Sequence, residues 1–288
     1  MIPAAFDYQR PQTLDEALRI LAEGHEGTTV INGGQSLLPL LKLRLAEVDR
    51  LVDIGRLPEL QGIRPGVDDG VVLGGAVTYR DVLDSSLVAE RCPLLIEVIS
   101  DIGDVQVRNR GTLGGSIAHA DPSSDLPAAA LALGVTVVLR SATAKREVAA
   151  ADFFHGSFVT DIAPDELLVG LRFPVLPAGA GSAYRQISQP ASGYSLVGVA
   201  AVVAISEGVV SHVQVGITGV GEIAYRAAAV ESVLMGTDGG AEALASAASH
   251  AADGQVVNGD IHADAEYRSA MAAVITRRAL EAAIAAAG

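Results

Sequence analysis

The sequence predicts an α+β protein in which two small α/β units precede a C-terminal region of sheet and helices. Three observations predict it. Strand-like and helix-like segments form a compact βαβ pattern only over the first 55 residues or so. Beyond Leu57 they alternate less regularly, which favours a mixed or antiparallel sheet over a doubly wound one. After the Pro- and Gly-rich break VLPAGAGSA (175–183), a long hairpin pattern gives way to Ala-rich helical segments. The divisions read from these shifts are 1–56, 57–176 and 177–288.

The elements follow in order. TLDEALRILAEG (13–24) has a capping-box pair in Thr13 and Glu16, an apolar stripe of Leu14, Leu18 and Leu21, and a stop at Gly24. TTVI (28–31) is a strand that runs into NGGQS (32–36). LLPLLKLRLA has a helical pattern with Pro39 near its first turn, and RLVDI (50–54) is a strand. In the second region GVVLGGAVTY (70–79) is strand-like, RDVLDSSLVAE and PLLIEVISDI are helix-like, and LGVTVVLRS (133–141) and ELLVGLRFP (166–174) add strands. In the third, SLVGVAAVVAI and VVSHVQVGIT form a hairpin joined by SEG. Three Ala-rich helices close the chain at about 223–236, 239–253 and 264–287.

Composition narrows the function classes. Half of the residues are hydrophobic but only 4% are aromatic and Trp is absent, so the core is built from Ala, Val, Leu and Ile. The net charge of −14 argues against a nucleic-acid or anionic-membrane surface. Cys92, the only cysteine, excludes intramolecular disulfides and Cys-ligated metal or iron–sulfur sites. MIPAAFDYQRPQ is polar and proline-punctuated, unlike a signal peptide, and SLVGVAAVVAI (195–205) is too short to span a bilayer. The expectation is a cytoplasmic protein without an integral membrane segment.

Two short stretches share a design. NGGQS (Asn32, Gly33, Gly34, Gln35, Ser36) and TLGGS (Thr112, Leu113, Gly114, Gly115, Ser116) each place paired glycines beside small hydroxyl residues. Paired glycines let a ligand approach the backbone closely, and successive free N–H groups with Ser or Thr hydroxyls form a nest for a pyrophosphate. The alternative is a pair of tight turns, and GGAV (74–77) shows how readily GG arises. Asp125, nine residues beyond Ser116, is placed either to accept hydrogen bonds from sugar-like hydroxyls or to cap the helix DLPAAALAL. His119 and Asp121 lack the further partners that a metal or general-base site requires, so no metal site is expected. GVGEIA (219–224) has the form G-x-G-x-x-A, but the strand before it belongs to a hairpin and no further βα units follow, so it reads as a turn.

With these residues in view, the chain resembles the FAD-binding medium subunits of molybdenum hydroxylases. NGGQSLLPLLKLRLA is similar to their AGG-H/Q-SLLP-K-R motif, and DVQVRNRGTLGGSIAHADPSSDLP to their IRNxGTxGG-(N/S)-xAxxxPxxDxP motif. The likeness is nearest to the aerobic carbon monoxide dehydrogenase type, with the xanthine dehydrogenase flavin domain more distant. It runs from FDYQRPQTLDEAL through YRQISQPASGYSLVGVA. The resemblance implies a PCMH/VAO-type FAD-binding fold of two subdomains, 1–56 and 57–176. A C-terminal domain (177–288) with a three-stranded antiparallel sheet and three helices would follow. It implies that Asn32–Ser36 and Thr112–Ser116 hold the pyrophosphate of FAD, that Asp125 bonds the ribityl or ribose portion, and that Leu167 contacts the flavin. It places Arg185 near the isoalloxazine, and Tyr194 either against that ring or simply at a strand start.

The implied work is electron transfer within an oxidoreductase. A small [2Fe–2S] subunit would supply electrons, a large molybdopterin subunit would oxidise the substrate, and FAD would deliver electrons to an external acceptor, in a dimer of heterotrimers. Substrate choice would lie in a partner, which leaves carbon monoxide, an aldehyde or an N-heterocycle. Two alternatives stand beside this: a stand-alone nucleotide-binding module without redox turnover, and an NAD-dependent dehydrogenase using GVGEIA.

Overall fold

The computed structural model describes residues 2–287. The first unit comprises β1 (Asp7–Gln9), α1 (Leu14–Ala22), β2 (Thr28–Ile31), α2 (Leu37–Leu43) and β3 (Arg50–Asp53). Thr13 caps α1 by accepting from Glu16 N, but the reciprocal half of the box differs, because the Glu16 carboxylate accepts from Gln12 N instead. β2 and β3 run parallel with Thr28 opposite Arg50, so α2 is the crossover of the expected βαβ unit. β1, too short to show a period, joins β3 to give the order β1-β3-β2.

The second unit contains β4 (Ile63–Pro65), β5 (Val71–Gly74), α3 (Tyr79–Leu83), α4 (Ser86–Arg91), α5 (Pro93–Ser100) and α6 (Val105–Arg108). It continues with α7 (Leu113–His119), α8 (Asp125–Ala132), β6 (Thr136–Arg140), β7 (Lys145–Ala149), β8 (Phe154–Gly156), β9 (Val159–Thr160) and β10 (Leu167–Phe173). Its main sheet has the order β4-β5-β10-β6-β7 with every pairing antiparallel, while β8 and β9 form a separate ribbon. The predicted strand 70–79 stops at Gly74, and 75–78 leave the sheet. A Cβ at Gly75 would overlap the Leu168 carbonyl oxygen, so the turn depends on glycine there.

The third unit consists of β11 (Gly181–Ser188), β12 (Ser195–Ser206), β13 (Val209–Thr218), β14 (Tyr225–Arg226), α9 (Ala228–Leu234), α10 (Ala241–Ala248) and α11 (Ala265–Ala286). β12 and β13 form the expected hairpin, turning through Glu207 (φ 52°) and Gly208 (φ 79°), the left-handed pair that matches strand twist. The expected three-stranded sheet gains a two-residue fourth strand, because Ile217 and Gly216 pair with Tyr225 and Arg226. That pairing also delays the first Ala-rich helix to Ala228.

β12 is apolar from Leu196 to Ile205 because both of its faces are covered. Val197, Val199, Ala201 and Val203 pack towards α9–α11, while Ala200 and Val202 belong to the core shared with the second unit. On that second face lies α8, all eight of whose residues are buried.

Candidate functional site

Three glycine-bearing segments meet at the junction of the first two units. The loop after β2 carries Asn32–Ser36, the N-terminus of α7 carries Thr112–Ser116, and Gly75 lies where β5 leaves its sheet. A Cβ at Gly33 would overlap the Arg110 carbonyl oxygen and lie 3.0 Å from Gly111 Cα, so the first two segments abut directly. A Cβ at Gly114 would overlap the Gly75 carbonyl oxygen, to which Asn32 Nδ2 also donates at 2.9 Å. Gly75 is thus the common bed of both loops. GGAV, dismissed as a chance pair in the sequence, joins them: Leu113 N donates to Val77 O (3.0 Å) and Tyr79 N to Gly111 O (2.9 Å).

These contacts leave a row of donors free. Among the described residues, the backbone N–H groups of 33–36 donate to no group of the chain, nor does that of Gly114. Gly34 has φ 75° and Ser36 starts α2 without spending its hydroxyl on a cap. In the facing segment Thr112 Oγ1 accepts from Gly115 N (3.1 Å), and Ser116 Oγ lies 2.9 Å from Ser124 Oγ.

The free donors line a cavity of about 520 Å³ that also reaches α3, the loop after α7, the start of β10 and the loop before β12. Asn32, Gly33, Gly34, Gln35, Ser36, Thr112, Gly114, Gly115, Ser116, Asp125, Leu167 and Tyr194 are all on its wall. Two expected residues are not. Leu113 is 1% exposed and buried in the core beneath α7. Arg185 pairs with Glu97 Oε1 at 2.6 Å and ties β11 to α5. His119 and Asp121 are on the wall, the His119 ring 5.0 Å from that of Phe158, and burial lowers the His119 pKa. Among the described residues, no group of three or more His, Cys, Asp or Glu is placed to hold a metal.

Asp125 is neither a free surface acceptor nor the helix cap, since Ser124 occupies the cap position and Asp125 opens α8. Its carboxylate is 5% exposed and accepts from Tyr184 Oη and Ser195 Oγ. Burial pushes its pKa up to about 6, against the pull of those two hydroxyls. Also on the wall, Glu166 is held under the usual carboxylate range by Arg146, which also pairs with Asp161.

GVGEIA offers no comparable nest. It is a run of bends leading into β14, and no helix opens from it. Gly219 N donates to Pro122 O, and Gly219 O accepts from Arg268 Nη1. Among the described residues, no helix is long and apolar enough to cross a membrane.

A cavity walled by free amides, with glycines at its closest approaches, suits a dinucleotide diphosphate. The buried Asn32 Oδ1, without a partner in the chain, adds an unspent acceptor beside it. Comparison with known proteins agrees. The family of FAD binding domains in molybdopterin dehydrogenase matches residues 4–176, and the C-terminal domain of CO dehydrogenase flavoprotein matches 182–283. The carbon monoxide dehydrogenase medium chain of Hydrogenophaga pseudoflava is 38% identical, with 98% of each chain covered. The glyceraldehyde dehydrogenase medium chain of Sulfolobus acidocaldarius is 39% identical, over 82% of this chain and 83% of its own. The solved structure of the H. pseudoflava carbon monoxide dehydrogenase superposes with a TM-score of 0.97 at 39% identity, with both chains fully covered. Free amides, glycine bed and full-length likeness converge: the chain belongs to the FAD-binding medium subunits of molybdenum hydroxylases.

Proposed function

We propose that this chain is the electron-transfer subunit of a cytoplasmic molybdenum hydroxylase. It takes electrons from the [2Fe–2S] clusters of a small partner subunit and passes them through FAD to an external acceptor. A large molybdopterin subunit oxidises the substrate, and the whole assembles as a dimer of heterotrimers. The observation that carries the reading is the pair of abutting loops whose free amides face one cavity of about 520 Å³. Relatives almost equally similar to this chain serve carbon monoxide and glyceraldehyde dehydrogenases, which supports placing substrate choice on another subunit.

The chain's own residues divide the labour. The amides of 33–36 and of Gly114, with the hydroxyls of Ser36 and Ser116, bind the diphosphate and neutralise it without a cation. Asn32 locks the first loop onto Gly75. Leu167 and Tyr194 bound the part of the cavity that takes the ring system. Leu113 acts by anchoring α7, and Arg185 by anchoring β11. Bound FAD supplies a carrier that accepts and releases electrons; the protein fixes where it sits and what surrounds it.

The test is reconstitution of the full chain with FAD, followed by gel filtration. The protein fraction should carry the yellow flavin absorption in equimolar amount, and Gly115→Asp, which puts a carboxylate into the anion nest, should abolish it. A colourless wild-type protein would overturn the reading.

A further inference from the structure

We propose that Tyr184 and Ser195, on the C-terminal sheet, are positioning residues of the cofactor site: they grip one oxygen of Asp125 so that the other accepts a hydroxyl from the polyol part of FAD. This deepens the reading above and rests on it.

The geometry points one way. Tyr184 on β11 and Ser195 on β12 are 3% and 1% exposed, and both hydroxyls converge on the same atom, Asp125 Oδ1, at 2.5 and 2.6 Å. Among the described residues, no hydrogen bond of the chain ends on Oδ2, and Asp125 is on the cavity wall. Gly198 makes the room: a Cβ there would overlap the Tyr184 hydroxyl and lie 2.9 Å from Ser195 Oγ. The same sheet grips the segment leading to Asp125. Gly219 N donates to Pro122 O (2.8 Å), Ser195 N donates to Ser123 O (3.3 Å), and Thr218 Oγ1 lies 2.9 Å from Ser124 O.

The electrostatics fit a neutral donor. Asp101 and Asp121 raise the Asp125 pKa further, and the phenols of Tyr79, Tyr184 and Tyr194 also face its charge. None of the groups that chiefly shift it is a cation. A buried carboxylate without a cation is costly unless hydroxyl donors surround it. Tyr184 and Ser195 supply two, and a polyol would supply the next. Ser195 has one proton for two acceptors at 2.6 Å, Asp125 Oδ1 and Gln186 Oε1. Tyr184, 2.5 Å from Asp125 and 3.2 Å from Ser195, is the committed donor and the better test.

The experiment titrates FAD into the full chain between about pH 5 and pH 9 and follows the dissociation constant by flavin fluorescence. Wild-type affinity should fall as pH drops through about 6, as Asp125 takes up a proton and its charged acceptor is lost. Tyr184→Phe should bind about tenfold more weakly at neutral pH, since a hydrogen bond to a charged group is lost. Its midpoint should move upward, since one donor stabilising the carboxylate has gone. Asp125→Asn should flatten the dependence in both backgrounds. A Tyr184→Phe protein with wild-type affinity and midpoint would overturn the proposal, as would one that only melts earlier. If the phenylalanine variant does not fold, Ser195→Ala must move the midpoint in the same direction. A wild type that binds no FAD at any pH sinks the function proposed above. Normal wild-type binding with an indifferent Tyr184→Phe sinks this inference alone.

Discussion

The sharpest consequence of the glycine bed is what one methyl group should do at Gly114. Its Cβ would overlap the Gly75 carbonyl oxygen and lie 2.8 Å from Gly75 Cα and 2.9 Å from the Gly75 carbonyl carbon. All three atoms are backbone, so no side chain can swing aside. Carbon atoms pack comfortably from about 3.5 Å, so the start of α7 and the turn at Gly75 must part by at least about 0.7 Å. Overpacking of this kind costs about 1–3 kcal/mol. For a chain of this size that is a fall in Tm of about 2–4 °C per kcal/mol. The same shift displaces the free Gly114 N–H and slackens the Asn32 bond to Gly75. One weakened hydrogen bond to a charged phosphate is about ten- to hundredfold in affinity. Gly114→Ala should therefore melt several degrees earlier and bind FAD about ten- to hundredfold more weakly, by thermal denaturation and fluorescence titration. Gly115→Ala is the control: its Cβ meets only the rotatable Thr112 hydroxyl at 2.7 Å, and its effect should be the smaller. Equal effects of the two variants, or full FAD affinity in Gly114→Ala, would refute the shared bed.

Three further outcomes are expected. Arg146 holds both Asp161 and Glu166 below the usual carboxylate range, so their pairing stabilises the fold above about pH 4 and is lost as pH falls further; Arg146→Met should flatten the decline of Tm with acidity, and unchanged slopes would count against the pairing. Gly216→Ala should lower Tm by several degrees, because its Cβ would overlap the Ala128 carbonyl oxygen and push β13 off α8; an unaltered melting curve would show that this contact yields. Gly221→Ala should leave FAD affinity within about twofold, since its Cβ faces the flexible end of Gln255 at 3.0 Å; nicotinamide-nucleotide binding that vanished in this variant would restore the role of GVGEIA.

Local pattern carried much of the fold. Thr28–Ile31, the crossover α2 and Arg50–Asp53 were legible because a βαβ unit writes its periods close together. The β12–β13 hairpin was legible because SEG, with its glycine, separates two apolar runs. Sheet order was not. β10 lies between β5 and β6, which no local period encodes, and the two- and three-residue strands are too short to have one. The same division holds at the site. NGGQS and TLGGS announced themselves by composition, whereas Gly75 enters the site through Asn32 and Gly114 folding onto it. Ser195 reads as an ordinary start to a strand and Tyr184 lies in no element the pattern marks, and their meeting with Asp125 spans 59 and 70 positions of chain. Arg185, which family likeness placed near the flavin, turns to Glu97 instead.

The position of α8 bears on how such a chain can be cut or recombined. With all eight residues buried and Gly216 and Ala200 against its outer side, it has no surface of its own and serves as a wall common to two rooms. A fragment ending in the 174–180 connector would open one side of that wall to water and strand Asp125 with neither of its hydroxyl partners. Swapping C-terminal regions between relatives would meet the same difficulty unless residues 121–132 travelled with the sheet. The cofactor cleft and the C-terminal half are therefore expected to be inherited, and to fail, together.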